Sequence, residues 1–175
     1  YFAGPSQITP ARPMLDWEPL AAGMSDHGWL DLTNTHVNWT VGGRLISVKG
    51  VDDPHIARDD YEGIRGSFNS EADLSLGVVH APYLRVLDAM AADNAQLILA
   101  GHTHGGQLRV PGYGALVTNC DLDPKRARGL SQHRNSALHV SAGLGCSRYA
   151  PFRFACPPEA TLITLKPRGS PLEWS

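Results

Sequence analysis

Leu97-Ile98-Leu99-Ala100-Gly101-His102-Thr103-His104-Gly105-Gly106-Gln107 is an apolar run of strand length that stops at two histidines one residue apart. A short apolar run bounded by glycine reads as a buried strand. Loops at the carboxyl ends of such strands are where the active sites of α/β proteins form. On an extended chain alternate side chains share a face, so His102 and His104 are expected to point into one volume and Thr103 away from it. Two neutral imidazoles converging there suit a borderline divalent metal such as Zn, Mn or Fe. Gly101, Gly105 and Gly106 permit positive φ and close approach of backbone to a metal or a bound phosphate. Two loop histidines that only hydrogen-bond in solvent would satisfy a bare His-x-His equally well; the glycine bracket and the strand before it favour the ligand reading.

Working outward, residues 74–79 read as a strand with His80 at its end. Leu84, Leu87, Met90 and Ala91 then fall on helical spacing across residues 83–93, which predicts an amphipathic helix with Met90 as core filler. With residues 96–100 as the next strand, a β-α-β unit delivers His80 and the His102/His104 pair to one sheet edge. Upstream, residues 37–41 and 44–51 cluster β-formers around Gly42-Gly43, a hairpin turn signal. The second of these strands ends at Asp52-Asp53-Pro54-His55, either a loop flanking the site or an ordinary Asx-Pro turn. Residues 16–28 fit a short helix capped by Asp16 and closed at Gly28. Downstream, strands are expected at 137–141 and 161–165, and a turn-rich stretch at 108–118 carries Tyr113 as a pocket-rim or surface residue. Residues 121–134 read as a charged, exposed segment whose Lys125, Arg126 and Arg128 form a solvated face. His139 alternates with apolar neighbours and reads as structural. Arg148 and Arg153 are the candidates to steer a phosphate, because guanidinium matches its oxygens bidentately; salt bridges are the plainer use of both.

The 175 residues, 42% hydrophobic and 18% charged, suffice for one domain with a real core. Fifteen Lys and Arg against seventeen Asp and Glu leave a formal charge of -2, which gives no electrostatic reason to expect a nucleic-acid patch or an anionic membrane surface as the main partner. A phosphorylated ligand would have to be held locally, by metal and a few arginines. Three cysteines without zinc-ribbon spacing indicate neither a disulfide framework nor a structural zinc site, though one bridge, Cys146 to Cys156, is compatible with the sequence. No stretch approaches the roughly 20 apolar residues that span a bilayer.

Gly101-His102-Thr103-His104-Gly105-Gly106-Gln107 resembles the last metal-binding motif of the calcineurin-like metallophosphoesterases, and Val78-Val79-His80-Ala81-Pro82 resembles the motif before it. Gly50-Val51-Asp52-Asp53-Pro54-His55, Ala142-Gly143-Leu144-Gly145 and Arg153-Phe154-Ala155-Cys156-Pro157-Pro158-Glu159 are similar to segments of a bacterial, membrane-linked or exported branch, particularly actinobacterial. The likeness runs from about residue 29 to 165. It implies the C-terminal half of a metallophosphoesterase-type α/β sandwich, a mixed sheet with flanking helices, with residues 1–175 forming part of a single domain. By the same resemblance His80 and His102 would bind one metal and His104 the other, in a centre of two divalent ions (Mn, Fe or Zn) that hydrolyses a phosphoester. The family's early Asp-x-His, its bridging Gly-Asp and its Gly-Asn-His-Asp-like segment do not occur here. Tyr1-Phe2-Ala3 resembles the residues directly after the last of these motifs, so the upstream half is expected to supply the remaining ligands, and any family general acid there has no counterpart to assign. The branch implies a cell-membrane or envelope setting for the complete protein, and a missing half-sheet would leave an edge open to self-association. Two other readings stay open: a non-catalytic interaction module with relic histidines, and a mononuclear hydrolase drawing on Asp52, Asp53 and His55.

Overall fold

The computed structural model describes residues 16–147 and 151–167. Its centre is a six-stranded mixed sheet in the order β1-β2-β3-β4-β8-β7, with β1 at Thr35–Val41, β2 at Arg44–Gly50, β3 at Leu74–Val79, β4 at Leu97–Ala100, β7 at Gly129–His133 and β8 at Ser136–Val140. A two-stranded hairpin, β5 (Arg109–Val110) and β6 (Gly114–Ala115), stands apart from it. The expected α/β architecture is present. β2, β3, β4 and β8 run parallel, while the edge strands β1 and β7 pair antiparallel to their neighbours. Four parallel carboxyl ends therefore open on one edge, and the loops carrying Asp52 to His55, His80, His102 to His104, and Ala142 to Gly145 all leave from it.

The β1–β2 turn is Gly42-Gly43 with φ of 56° and 75°, the two positive values a type I′ hairpin needs. Helix α2 (Leu84–Ala92) comes after His80 and turns Val86, Leu87, Met90 and Ala91 onto the sheet. Met90 is fully buried, as expected of core filler, and its sulfur lies 2.7 Å from where a Cβ on Gly77 would sit. Asn94, at φ 69°, closes α2 in a Schellman arrangement: Ala95 N–H donates to Met90 O and Asn94 N–H to Ala91 O. The other end of α2 is capped from a distance, Leu84 N–H donating to Asp121 Oδ1 at 2.8 Å. Ile98, Leu138 and Val140 complete this core at 0% exposure.

Several expectations need correction. Residues 161–165 form no strand, and Leu162 is 91% exposed; β4 and β7 already take both sides of β8, so this run of β-formers has no ladder there to join. The segment 121–134 is not simply a solvated face, because it contains β7, whose His133 is buried and pairs with Asp88 at 2.8 Å. Helix α1 (Glu18–Asp26) begins at Trp17 with no side-chain cap, so Asp16 does not cap it, though Gly28 closes it at φ 83° as expected. Cys120, Cys146 and Cys156 are free thiols, so the Cys146–Cys156 bridge is not formed. Among the described residues no helix is long and apolar enough to cross a membrane.

Candidate metal centre

β3 and β4 pair in register from Leu76↔Leu97 to Val79↔Ala100, so the residues after them emerge side by side. Gly101 N–H donates to His80 O at 2.9 Å, which extends the ladder by one step and sets the two histidine loops against each other. His80 Nε2 and His102 Nδ1 lie 3.2 Å apart. Two imidazole nitrogens sharing one metal at about 2.0–2.1 Å with a tetrahedral angle stand about 3.3 Å apart. The observed pair has that spacing, which equally serves an N–H···N bond between the rings. His102 Nε2 lies 3.3 Å from Asn119 O and donates to it, which leaves the Nδ1 lone pair facing His80. Burial, then the neighbouring imidazoles of His55 and His80, lowers the pKa of His102 to about 4. The ring is thus neutral at pH 7, the state a metal ligand requires. His104 is lowered too, by burial and then by the charge of Arg153, with a bond to the Gly145 carbonyl opposing both. The donor set fits a borderline divalent ion, but only as part of a site: among the described residues no group of three or more His, Cys, Asp or Glu side chains is arranged to hold a metal.

The motif is not an extended chain. His102, His104, Gly105, Gly106 and Gln107 have φ of 66°, 50°, 67°, 80° and 47°, and Thr103 alone returns to the right-handed helical region. The two histidines still face outward and Thr103 inward, but through a tight turn instead of strand alternation. Left-handed backbone costs a side-chain-bearing residue roughly 1–2 kcal/mol, so such a turn persists only where its surroundings over-determine it. Here they do. Thr103 Oγ1 donates to Ala127 O at 2.7 Å and accepts from Gly105 N at 3.2 Å. Buried Gln107 donates to Phe152 O at 3.0 Å and accepts from Ser147 N at 2.7 Å. Arg109 Nη1 donates to Gly105 O at 2.8 Å.

The glycines serve packing more than ligand approach. A Cβ on Gly105 would stand 2.7 Å from Cys156 Sγ, and one on Gly106 would stand 2.1 Å from Ala115 Cβ; on Gly101 it would meet only His80 O at 3.7 Å. Gly112 shares the φ of Gly106, 80°, but has open space around it. Gly106→Ala is therefore expected to destabilise the chain by about 1–3 kcal/mol more than Gly112→Ala, since the shared backbone penalty cancels and overpacking remains. Equal urea midpoints for the two variants would remove this steric reading.

The loop after β2 lies beside the pair. The His55 and His102 ring centroids are 4.5 Å apart, and His55 Nδ1 is 3.0 Å from Tyr83 Oη, which itself donates to Asn119 O at 3.3 Å. Asp52 and Asp53 mostly shape their own turn: Asp52 pairs with Arg58 at 2.7 Å and accepts from Asp53 N at 2.7 Å, while Asp53 accepts from His55 N at 2.9 Å. The contacts of Tyr83 and Asn119 with this site were not foreseen, and nothing in their local sequence marks them. Arg153 directs its donors at main-chain carbonyls, among them His104 O at 3.2 Å and Ala142 O at 2.8 Å. Arg148 lies outside the described residues. Tyr113 is exposed, and His139 is buried with its Nε2 unpartnered.

No family model matches the chain, and no solved structure matches it. Among curated proteins, the uncharacterized metallophosphoesterase YkuE of Bacillus subtilis (strain 168) is 35% identical over 124 residues, 71% of this chain and 42% of that protein. The uncharacterized metallophosphoesterase YkoQ of the same organism is 30% identical over 132 residues, 74% of this chain and 47% of that protein. The phosphodiesterase YaeI of Escherichia coli (strain K12) is 36% identical over 97 residues, 55% of this chain and 34% of that protein. The chain spans about half the length of the curated relatives it matches, or less. Taken with the paired histidine loops, these likenesses support a calcineurin-like metallophosphoesterase family for the chain.

Proposed function

We propose that this chain supplies one wall and three ligands of a phosphoester-hydrolysing centre, His80 and His102 on one divalent ion and His104 on a second, the remaining ligands coming from outside its 175 residues. The observation that carries the reading is the 3.2 Å approach of His80 Nε2 to His102 Nδ1 at the ends of two paired parallel strands. Two ions (Mn, Fe or Zn) would clamp the phosphoryl oxygens and lower the pKa of a shared water. The chain's own residues prepare that site: Asn119 O orients His102, and the Thr103–Ala127 anchor and the left-handed turn present His104. Names of relatives support hydrolysis of a phosphoester and dependence on a divalent metal. Self-association through the outer edges of β1 and β7, and a membrane or envelope setting for the complete protein, rest on strand geometry and on the resemblance respectively.

One observation favours the alternative of a non-catalytic module with relic histidines, namely that the described residues do not make up a complete metal site. Metal content and hydrolysis of an aryl phosphodiester, measured for this chain and for the protein extended upstream, separate the two. The extended protein is expected to hold two ions and turn over substrate, and the chain alone to bind at most one ion weakly without turnover. If the chain alone holds two ions and matches the extended protein's rate, the shared-site reading fails. If neither binds metal, the histidines are relics.

A further inference from the structure

Tyr83 follows His80 in the same loop, at the entry to α2, and its hydroxyl reaches two further segments of the site. Its Oη donates to Asn119 O at 3.3 Å, the carbonyl that also takes the Nε2 proton of His102 at 3.3 Å. A phenol has one proton to give, so the 3.0 Å contact with His55 runs the other way, His55 Nδ1 donating to Tyr83 Oη. That bond holds the His55 ring, and Asp53 Oδ1 holds its main chain by accepting from His55 N at 2.9 Å. The anchored ring lies against His102, the centroids 4.5 Å apart and the planes at 44°. His80 meets His102 from another side, edge-on at 5.0 Å and 79°. His102 is thus confined at Nδ1 by His80, at Nε2 by Asn119 O and across its ring by His55. The loops after β2 and β3 and the segment of Asn119 all meet at the Tyr83 hydroxyl.

We propose that His55 and Tyr83 act as one unit of positioning residues for the metal centre, through His102: Tyr83 fixes the His55 ring and shares the Asn119 carbonyl, and the His55 ring keeps His102 turned so that its Nδ1 lone pair stays beside His80 Nε2. This rests on the function proposed above for His80 and His102. It gives His55 a use that needs no metal bond of its own. A partner that orients a ligating imidazole is worth about 10–100-fold in metal affinity, and a pair that acts on the ring's surroundings belongs at the lower end of that range. The two contributions should not add, because loss of the hydroxyl frees the His55 ring and loss of His55 leaves the hydroxyl no ring to anchor.

The test takes the complete protein with Tyr83→Phe, His55→Ala and the double variant, using Mn²⁺ titration and, on metal-free samples, imidazole ¹⁵N shifts that report the tautomer of each histidine. Each single variant is expected to weaken one of the two Mn²⁺ sites about 10-fold, leave the other unchanged, and turn a single His102 tautomer into a mixture while His104 stays as it was. The double variant should weaken that site no further than the stronger single variant. Unchanged Mn²⁺ affinity with a single His102 tautomer in both single variants would overturn the inference. A double variant about 100-fold weaker, the product of two independent effects, would overturn it too. Wild-type protein that binds no Mn²⁺ would sink the proposed function, and the metal-free tautomer of His102 in the variants would still decide the pair. Tyr83→Phe removes a single oxygen and keeps the ring; should neither it nor His55→Ala fold, the pair holds the loops together and not His102 in particular, and the inference is also overturned.

Discussion

Replacing His102 by alanine is expected to reduce phosphoester hydrolysis by the complete protein about 1000-fold or more while leaving the fold in place. The size reflects the interaction removed. Charge stabilisation at a metal-clamped phosphoryl group is worth several kcal/mol, and each 1.36 kcal/mol is a decade in rate. The fold should survive because the ring lies at the sheet edge, outside the core built on Ile98, Leu138 and Val140. His80 loses its partner at 3.2 Å and Asn119 O its N–H donor, but both residues are exposed, so water can take the vacated place. Hydrolysis, metal content and far-UV circular dichroism measured together decide the matter. A His102→Ala protein that keeps its metals and its rate would remove His102 from the centre.

Replacing Lys49 by alanine is expected to produce the opposite pattern, a large loss of stability with the histidine site spared. Lys49 lies on β2 with its side chain 1% exposed. Its Nζ donates to Asp93 Oδ2 at 3.0 Å and to Gly66 O, over the rings of Phe68 and Tyr61 at 4.8 and 5.5 Å. The same Asp93 oxygen accepts from Tyr61 Oη and from Gly66 N, each at 2.8 Å. Burial opposes ionisation of Asp93, but these bonds outweigh it and hold its carboxyl below the usual range. Removing one partner of a buried pair costs about 3–5 kcal/mol, because the other charge stays in place without compensation. Asp93 closes α2 at the end remote from His80, so the network ties the 61–68 loop to the core without touching the candidate ligands. Urea unfolding should show the midpoint falling, and Lys49→Met with Asp93→Asn should recover much of the loss. A Lys49→Ala midpoint within about 1 kcal/mol of wild type, expressed as free energy, would show that the pair contributes little net stability.

The strands β2, β3, β4 and β8, the helix α2 and the Gly42-Gly43 turn were legible in the sequence because each rests on a local signal: apolar runs of strand length, 3.6-residue spacing and turn chemistry. The convergence of His80 with His102 was legible for the same reason, since a β-α-β unit sets two parallel carboxyl ends side by side. The features that tertiary structure decided lie at longer range. The left-handed course of residues 102–107 depends on Ala127, Phe152, Ser147 and Arg153, which hydrogen-bond to it from 24 to 49 residues away, and no local preference encodes those partners. The long reach of Lys49 to Asp93, 44 residues on, is invisible in a strand pattern that would place a lysine facing water. Residues 161–165 show the reverse: β-forming side chains are present, but a strand needs a pairing partner, and in the assembled sheet this run joins neither open edge, β1 nor β7.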